Sequence, residues 1–157
     1  MGREVIFEFD PFEIAGEEPN PKTKKEVLAE VRDYVVEQVL THVAAQKSPV
    51  DGYGKFDPLS PEYKKRKIAE GHPGKADLLF SGDMLDALKG KARSSTVEIG
   101  IRGKQGEKAD GHCNFSGDSE LPLRRFIPNE DDGDVWNAAI TKGIKRIVRA
   151  GRADDAD

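Results

Sequence analysis

Cysteine is nearly missing from this chain: Cys113 stands alone among 157 residues, which excludes an intrachain disulfide and a multi-cysteine zinc site and points to synthesis in a reducing compartment. Long apolar runs are missing too, since nothing approaches the roughly 20 residues of a membrane span. The opening MGREVIFEFD places acidic residues where a signal peptide needs an unbroken apolar stretch. A soluble, unsecreted protein is therefore expected. Met1-Gly2 is followed by Arg3, Glu4, Val5 and Ile6, without the hydroxyl residue of a myristoylation signal, so no lipid anchor is expected. Apolar residues make up 36% and charged residues 34%, so the core is thin and much of the chain belongs on surface, in arms or in polar interfaces. A net charge of -4 supplies no overall basic field for gripping a nucleic-acid backbone. The length suits one domain over 1–157, and no internal repeat divides it.

What is present falls into alternating and helical patterns. Val5, Phe7 and Phe9 alternate with Glu4, Glu8 and Asp10, the two-residue period of a half-buried strand over 3–10, which Pro11 is expected to stop. After a proline-punctuated connection, Asn20-Pro21 and the Thr23/Glu26 pair both signal a helix start. Leu28, Val31, Val35, Val39 and His42 then recur at three- and four-residue steps, giving a helix that ends near Gln46, with His42 at the edge of its packed stripe. Residues 49–82, rich in Pro, Gly, Lys and Asp, predict a projecting arm. One short helix interrupts it, capped by Ser60, with Pro61 in its first turn and Gly71 at its end. Ser81 is expected to cap another short helix carrying Met84, Leu85 and Leu88, with Gly90 as its stop. Val97, Ile99 and Ile101 alternate with Glu98, Gly100 and Arg102, a strand with one buried and one polar face. A loop over 103–117, a strand over 121–127 and an acidic turn over 129–134 follow. Trp136, Ile140, Ile144, Ile147 and Val148 then mark a C-terminal helix, and the tail beyond Gly151 is polar and frayed. The sum is an α+β fold: a small, mainly antiparallel sheet packed by a long N-terminal helix and a C-terminal helix, with a long extended arm.

Chemistry-bearing residues are few. His42, His72 and His112 share no metal-ligand spacing, and the neighbours His112 and Cys113 would point to opposite faces of an extended segment. Glu130, Asp131, Asp132 and Asp134 lack the alternating oxygen ligands and distal glutamate of a calcium loop and read as a solvated turn. Gly100, Gly103 and Gly106 leave a strand without the lysine, hydroxyl and helix of a phosphate loop. Lys64, Lys65, Arg66 and Lys67 beside Tyr63 could neutralise phosphates while the aromatic stacks. In an acidic chain they read better as a solvated helix face, so a nucleic-acid module is the second reading. A hydrolase on His112 ranks last, because no nucleophile, base and orienting group can be nominated together. No catalytic residue, cofactor or metal is expected.

Three segments in order carry a resemblance: FDPLSPEYKKRK (56–67), DLLFSGDMLDAL (77–88) and VEIGI (97–101), followed by KADGHCNFSG (108–117) and LPLRRFIP (121–128). Their collinearity resembles the virion morphogenesis, or tail-completion, family of Mu-like and related tailed phages, over roughly 22–150. The resemblance implies a structural, non-enzymatic subunit of a homo-oligomeric ring, commonly a hexamer, that completes the tail and joins it to the head. Its implied partners are the tail tube protein and a head-closure or connector protein, with DNA passing the channel without specific binding. It would be made in the host cytoplasm and end in the virion neck. Phe56, Leu59 and Tyr63 on the arm are the expected interface anchors, because exposed aromatics and leucines need an apolar partner surface. His112 and Phe115 in the second loop are expected to join them.

Overall fold

Strand β3, Val97–Ile101, organises the molecule. β1 (Val5–Phe9) pairs with it on one side and β2 (Lys89–Ala92) on the other, both antiparallel, giving the order β1-β3-β2. The computed structural model describes residues 4–71, 74 and 83–153, with Arg152 and Ala153 described through their backbone only. Arg3, His72, the Ser81 cap, the arm stretch 75–82 and the tail 154–157 lie outside the described residues.

The register brings Val5 opposite Ile101, Phe7 opposite Ile99 and Phe9 opposite Val97, so the alternating apolar residues share one sheet face. Glu98 was expected on a polar face, yet all five residues of β3 are buried, because a central strand is flanked on both sides. Arg93 and Arg102 both ion-pair with Glu98. Burial works to raise its carboxyl, but the hydrogen bonds and charges of Arg102 and Arg93 outweigh it and hold it below the usual carboxylate range. Gly100 is required by the pairing: a Cβ there would lie 2.6 Å from the Val5 carbonyl oxygen.

Helix α2, Lys24–Ala44, lies against β2 and β3 and buries Leu28, Val31, Val35, Val39 and His42, the stripe read from the sequence. Thr23 stands at its N-cap position, but its hydroxyl donates to the Gly151 carbonyl of the last helix. Helix α6, Ala138–Ala153, packs on α2. The contact is close enough that a Cβ on Gly143 would collide with the Tyr34 hydroxyl. Phe7 and Phe9 stack at 5.8 Å, and Trp136 meets both edge-on at 5.5 and 5.7 Å. His42 joins the two helices, its Nδ1 bonded to the Gln38 carbonyl at 2.7 Å and its Nε2 to the Asn137 amide at 2.9 Å. The fold is thus α+β, with an antiparallel sheet covered by helices.

Five local expectations are corrected. The strand does stop before Pro11, but the connection after it is not all irregular: Asp10 accepts from the Phe12 and Glu13 amides and starts α1, Pro11–Ala15. Gly90 does not stop a helix but sits in β2, where its missing side chain admits Arg32 and Val36 of α2. Residues 103–117 are not a loop: Gly103–Cys113 is helix α5. Residues 121–127 form no strand, because their polar groups are spent on the end of α5 rather than on a sheet partner. The first part of the arm does not project either. Val50 bridges to Trp136, the Phe56 amide donates to the Gln46 carbonyl at 2.8 Å, and both side chains are buried. Helix α3, Pro61–Ala69, begins as read, with Ser60 accepting from the Tyr63 amide. Helix α4, Asp83–Asp86, precedes β2. Among the described residues no helix is long and apolar enough to cross a membrane.

Candidate functional site

The last turn of α5 leaves carbonyl groups without partners inside the helix, and the chain that follows returns to satisfy them. Asn114 takes the left-handed conformation, φ +55°, and turns the chain. Asp110 accepts from the Ser116 amide and hydroxyl, and the Ser119 hydroxyl donates to the Gly111 carbonyl. The Arg124 amide donates to the His112 carbonyl at 2.8 Å, and the Arg125 side chain to the Cys113 carbonyl at 2.8 Å. Arg125 therefore places its cation where the helix dipole is negative, whereas Arg124 is held there by its backbone amide. As neighbours on an extended segment they send their side chains apart.

Arg125 turns into a closed network. Its guanidinium meets Asp132 at 2.7 Å, Asp134 at 3.0 Å and the Tyr53 hydroxyl at 2.7 Å. It lies 5.3 Å from the Tyr53 ring centroid and 5.6 Å from that of Phe115. Burial alone would lower its pKa, but Asp132, Tyr53 and Asp134 hold it above the usual arginine value. The acidic turn is thus not simply solvated: it is a 3-10 turn, Glu130–Asp132, and Asp132 and the buried Asp134 are counter-ions of Arg125.

Arg124 turns the other way, into a cavity of about 320 Å³ between α3, α5 and residues 121–124. It is 5% exposed. Its guanidinium donates to the backbone carbonyls of Asp57, at 3.1 Å, and Pro58, at 3.4 Å. Leu59, Tyr63, Met84 and Leu121 form the apolar walls. Lys67, Lys108 and Glu107 add charge, and His112 looks in from α5. The ring of His112 is pushed down to about 4 by burial and by the charges of Arg124 and Lys67, so it is neutral at pH 7. Its Nδ1 is buried without a hydrogen-bond partner.

Of the five residues singled out from the sequence, Leu59, Tyr63 and His112 meet at this cavity. Phe56 does not: it is 8% exposed and belongs to the core, so it is no anchor on an exposed arm. Phe115 lies on the Arg125 side. Lys67 was read as part of a solvated face, but it is 1% exposed, while Lys64, Lys65 and Arg66 are exposed. Arg124, Lys67 and Leu121 were not singled out for the cavity. The signal available was RR after an apolar pair, in a segment with no strand partner to occupy it.

His112 and Cys113 are on a helix rather than an extended segment. Cys113 is fully buried and its thiol is pushed up to about 12 by that burial, so it offers neither a thiolate ligand nor a nucleophile near pH 7. Gly103 does lead from a strand into a helix, but the lysine and hydroxyl of a phosphate loop are still missing. Among the described residues no three His, Cys, Asp or Glu side chains are grouped to hold a metal ion. Comparison with protein-family models, with curated proteins and with solved structures finds no match to this chain.

Proposed function

We propose that the chain is a structural, non-enzymatic virion protein: a subunit of a homo-oligomeric ring, a hexamer, at the head-to-tail junction of a tailed phage. Its partners are then the tail tube and a head-closure or connector protein, with DNA passing through the channel unbound. The observation that carries the reading is the exposed apolar surface around the α5 cavity. Tyr63 from the PLSPEY segment is 38% exposed, and Leu121 and Leu123 from the LPLRRF segment are 53% and 44% exposed. The segments that carry the resemblance thus contribute large apolar side chains to solvent, which a subunit covers with its neighbour. The sheet adds to this support, because β1 is an edge strand with no further strand beside it among the described residues. Net charge -4 is consistent with a channel wall that does not hold DNA.

Native mass spectrometry with negative-stain imaging tests it. The wild-type chain is expected at six times 17.3 kDa as a closed ring. A Tyr63→Ala, Leu121→Ala, Leu123→Ala variant is expected to be monomeric with unchanged circular dichroism, since these exposed side chains carry little of the fold. A wild-type chain that stays monomeric at high concentration overturns the reading. The rival, a nucleic-acid module on Tyr63 to Lys67, has lost one cation to the interior and predicts affinity that falls steeply with salt.

A further inference from the structure

We propose that the cavity between α3, α5 and residues 121–124 is a binding site for a carboxylate carried on an apolar stem. Arg124 is the anion anchor, and Leu59, Tyr63 and Leu121 form the wall for the stem. The site goes beyond the ring reading and does not depend on it.

Arg124 is the first argument. The guanidinium of a residue that is only 5% exposed needs a counter-ion or equivalent hydrogen bonds. Arg124 has two backbone carbonyls on one side, and among the described residues no carboxylate hydrogen-bonds or ion-pairs with it. Asp57 gives it a carbonyl hydrogen bond, and its carboxylate acts on Arg124 only through charge; burial outweighs that charge and holds the Arg124 pKa below the usual arginine value. The adjacent Arg125, equally buried, has two carboxylates. The chain therefore has the means to neutralise a buried arginine here, and at Arg124 it leaves the cavity side open.

His112 is the second. Its ring borders the same cavity, and its Nδ1 is out of solvent with no partner. Buried polar atoms are paired with few exceptions. Held neutral by burial and by Arg124 and Lys67, the ring can donate one hydrogen bond to an anion without adding a charge.

The walls define the rest of the ligand. Met84 lines the cavity with the leucines and the tyrosine, and the volume of about 320 Å³ is at the small end of ligand sites, which run from roughly 300 to 1,000 Å³. The planar fork of one arginine matches the two oxygens of a carboxylate. Glu107 in the lining repels a phosphate dianion more strongly than a carboxylate monoanion, and the apolar surface gives the remaining phosphate oxygens nothing. The carboxylate can come from a small molecule or from a glutamate side chain beside an apolar residue in a protein partner.

Titration calorimetry of the full chain at neutral pH decides it, with phenylbutyrate, phenylbutanol and inorganic phosphate as probes. Phenylbutyrate is expected to bind about tenfold more tightly than either control, as one charge-assisted pair implies, and to shift the His112 ring signals in the NMR spectrum. Arg124→Gln should abolish the preference for the acid over the alcohol. Equal affinity for the alcohol, tighter binding of phosphate, an unmoved His112 ring or an unaffected Arg124→Gln variant would each overturn the site. Should Arg124→Gln fail to fold, Leu121→Asp places a carboxylate at the exposed mouth. It is expected to lose phenylbutyrate binding, and retained affinity overturns the proposal. Competition with acetyl-Leu-Glu-amide identifies the source, and both orders of affinity support the carboxylate assignment. A peptide stronger than phenylbutyrate indicates a protein partner, and a weaker one indicates a small molecule. A chain that is monomeric throughout yet binds phenylbutyrate fails the ring reading alone.

Discussion

Arg124 and Arg125 are neighbours in sequence, equally buried, and both attached to the end of α5, yet they do different work. Arg125 is enclosed by Asp132, Asp134, Tyr53 and the backbone carbonyls of Cys113 and Asn114, so its charge is consumed inside the fold. Arg124 is fastened by two carbonyls of the 57–58 segment and faces a cavity. Burial alone therefore does not tell a structural cation from an available one. The number of groups already meeting it does.

The comparison can be broken most severely at Arg125. Arg125→Ala strands Asp134 and Asp132 and removes a cap from α5, and is expected to lower the unfolding free energy by about 3–5 kcal/mol in urea titrations. A loss below about 1 kcal/mol would mean that the network is not a structural lock.

The next effect lies in pH. The neutral imidazole of His112 shares its cavity with Arg124, Lys67 and Lys108, with Glu107 as the one acid in the lining among the described residues. Its folded pKa, about 4, is below the unfolded 6.5, so the unfolded chain binds more protons in between. This contribution is complete above pH 6.5 and is lost as pH falls from there to 4. At about 1.4 kcal/mol per unit it reaches roughly 3 kcal/mol. Comparing wild type with His112→Gln isolates it from the carboxylates that titrate in the same range, and parallel pH profiles would refute it.

The smallest effect sharpens the contrast. Arg124→Gln removes hydrogen bonds to two carbonyls but no ion pair, and is expected to cost about 1–2 kcal/mol, clearly less than Arg125→Ala. Equal losses in the two variants would erase the distinction between the arginines.

Much of the frame was legible because its signals are local and periodic. The alternation around Val97 and around Val5, the stripe from Leu28 to His42, and Ser60-Pro61 each lead to an observed element. Helix α5 was hidden because the face it buries is made of Gly106, Ala109, Asp110 and Cys113. The spacing is helical, but small and polar residues carry no hydrophobic signal. β2, Lys-Gly-Lys-Ala, has no strand character of its own and exists because β3 offers it a partner. In 121–127 the apolar residues suggest a strand, but the two arginines commit the segment to the end of α5. Leu59, Tyr63 and His112 were singled out as separate arm and loop residues. Their meeting at one cavity could not be read, since 49 residues or more separate His112 from the other two.

By itself, the sequence determined the class of fold, the main helices and the central strand, because propensity, capping and periodicity act over a few residues. Tertiary structure alone decided which of two adjacent arginines is locked and which is open. Their partners, Asp57 for Arg124 and Tyr53 for Arg125, lie 67 and 72 residues away, and only the packing of α3, α5 and the returning chain brings them within hydrogen-bond reach.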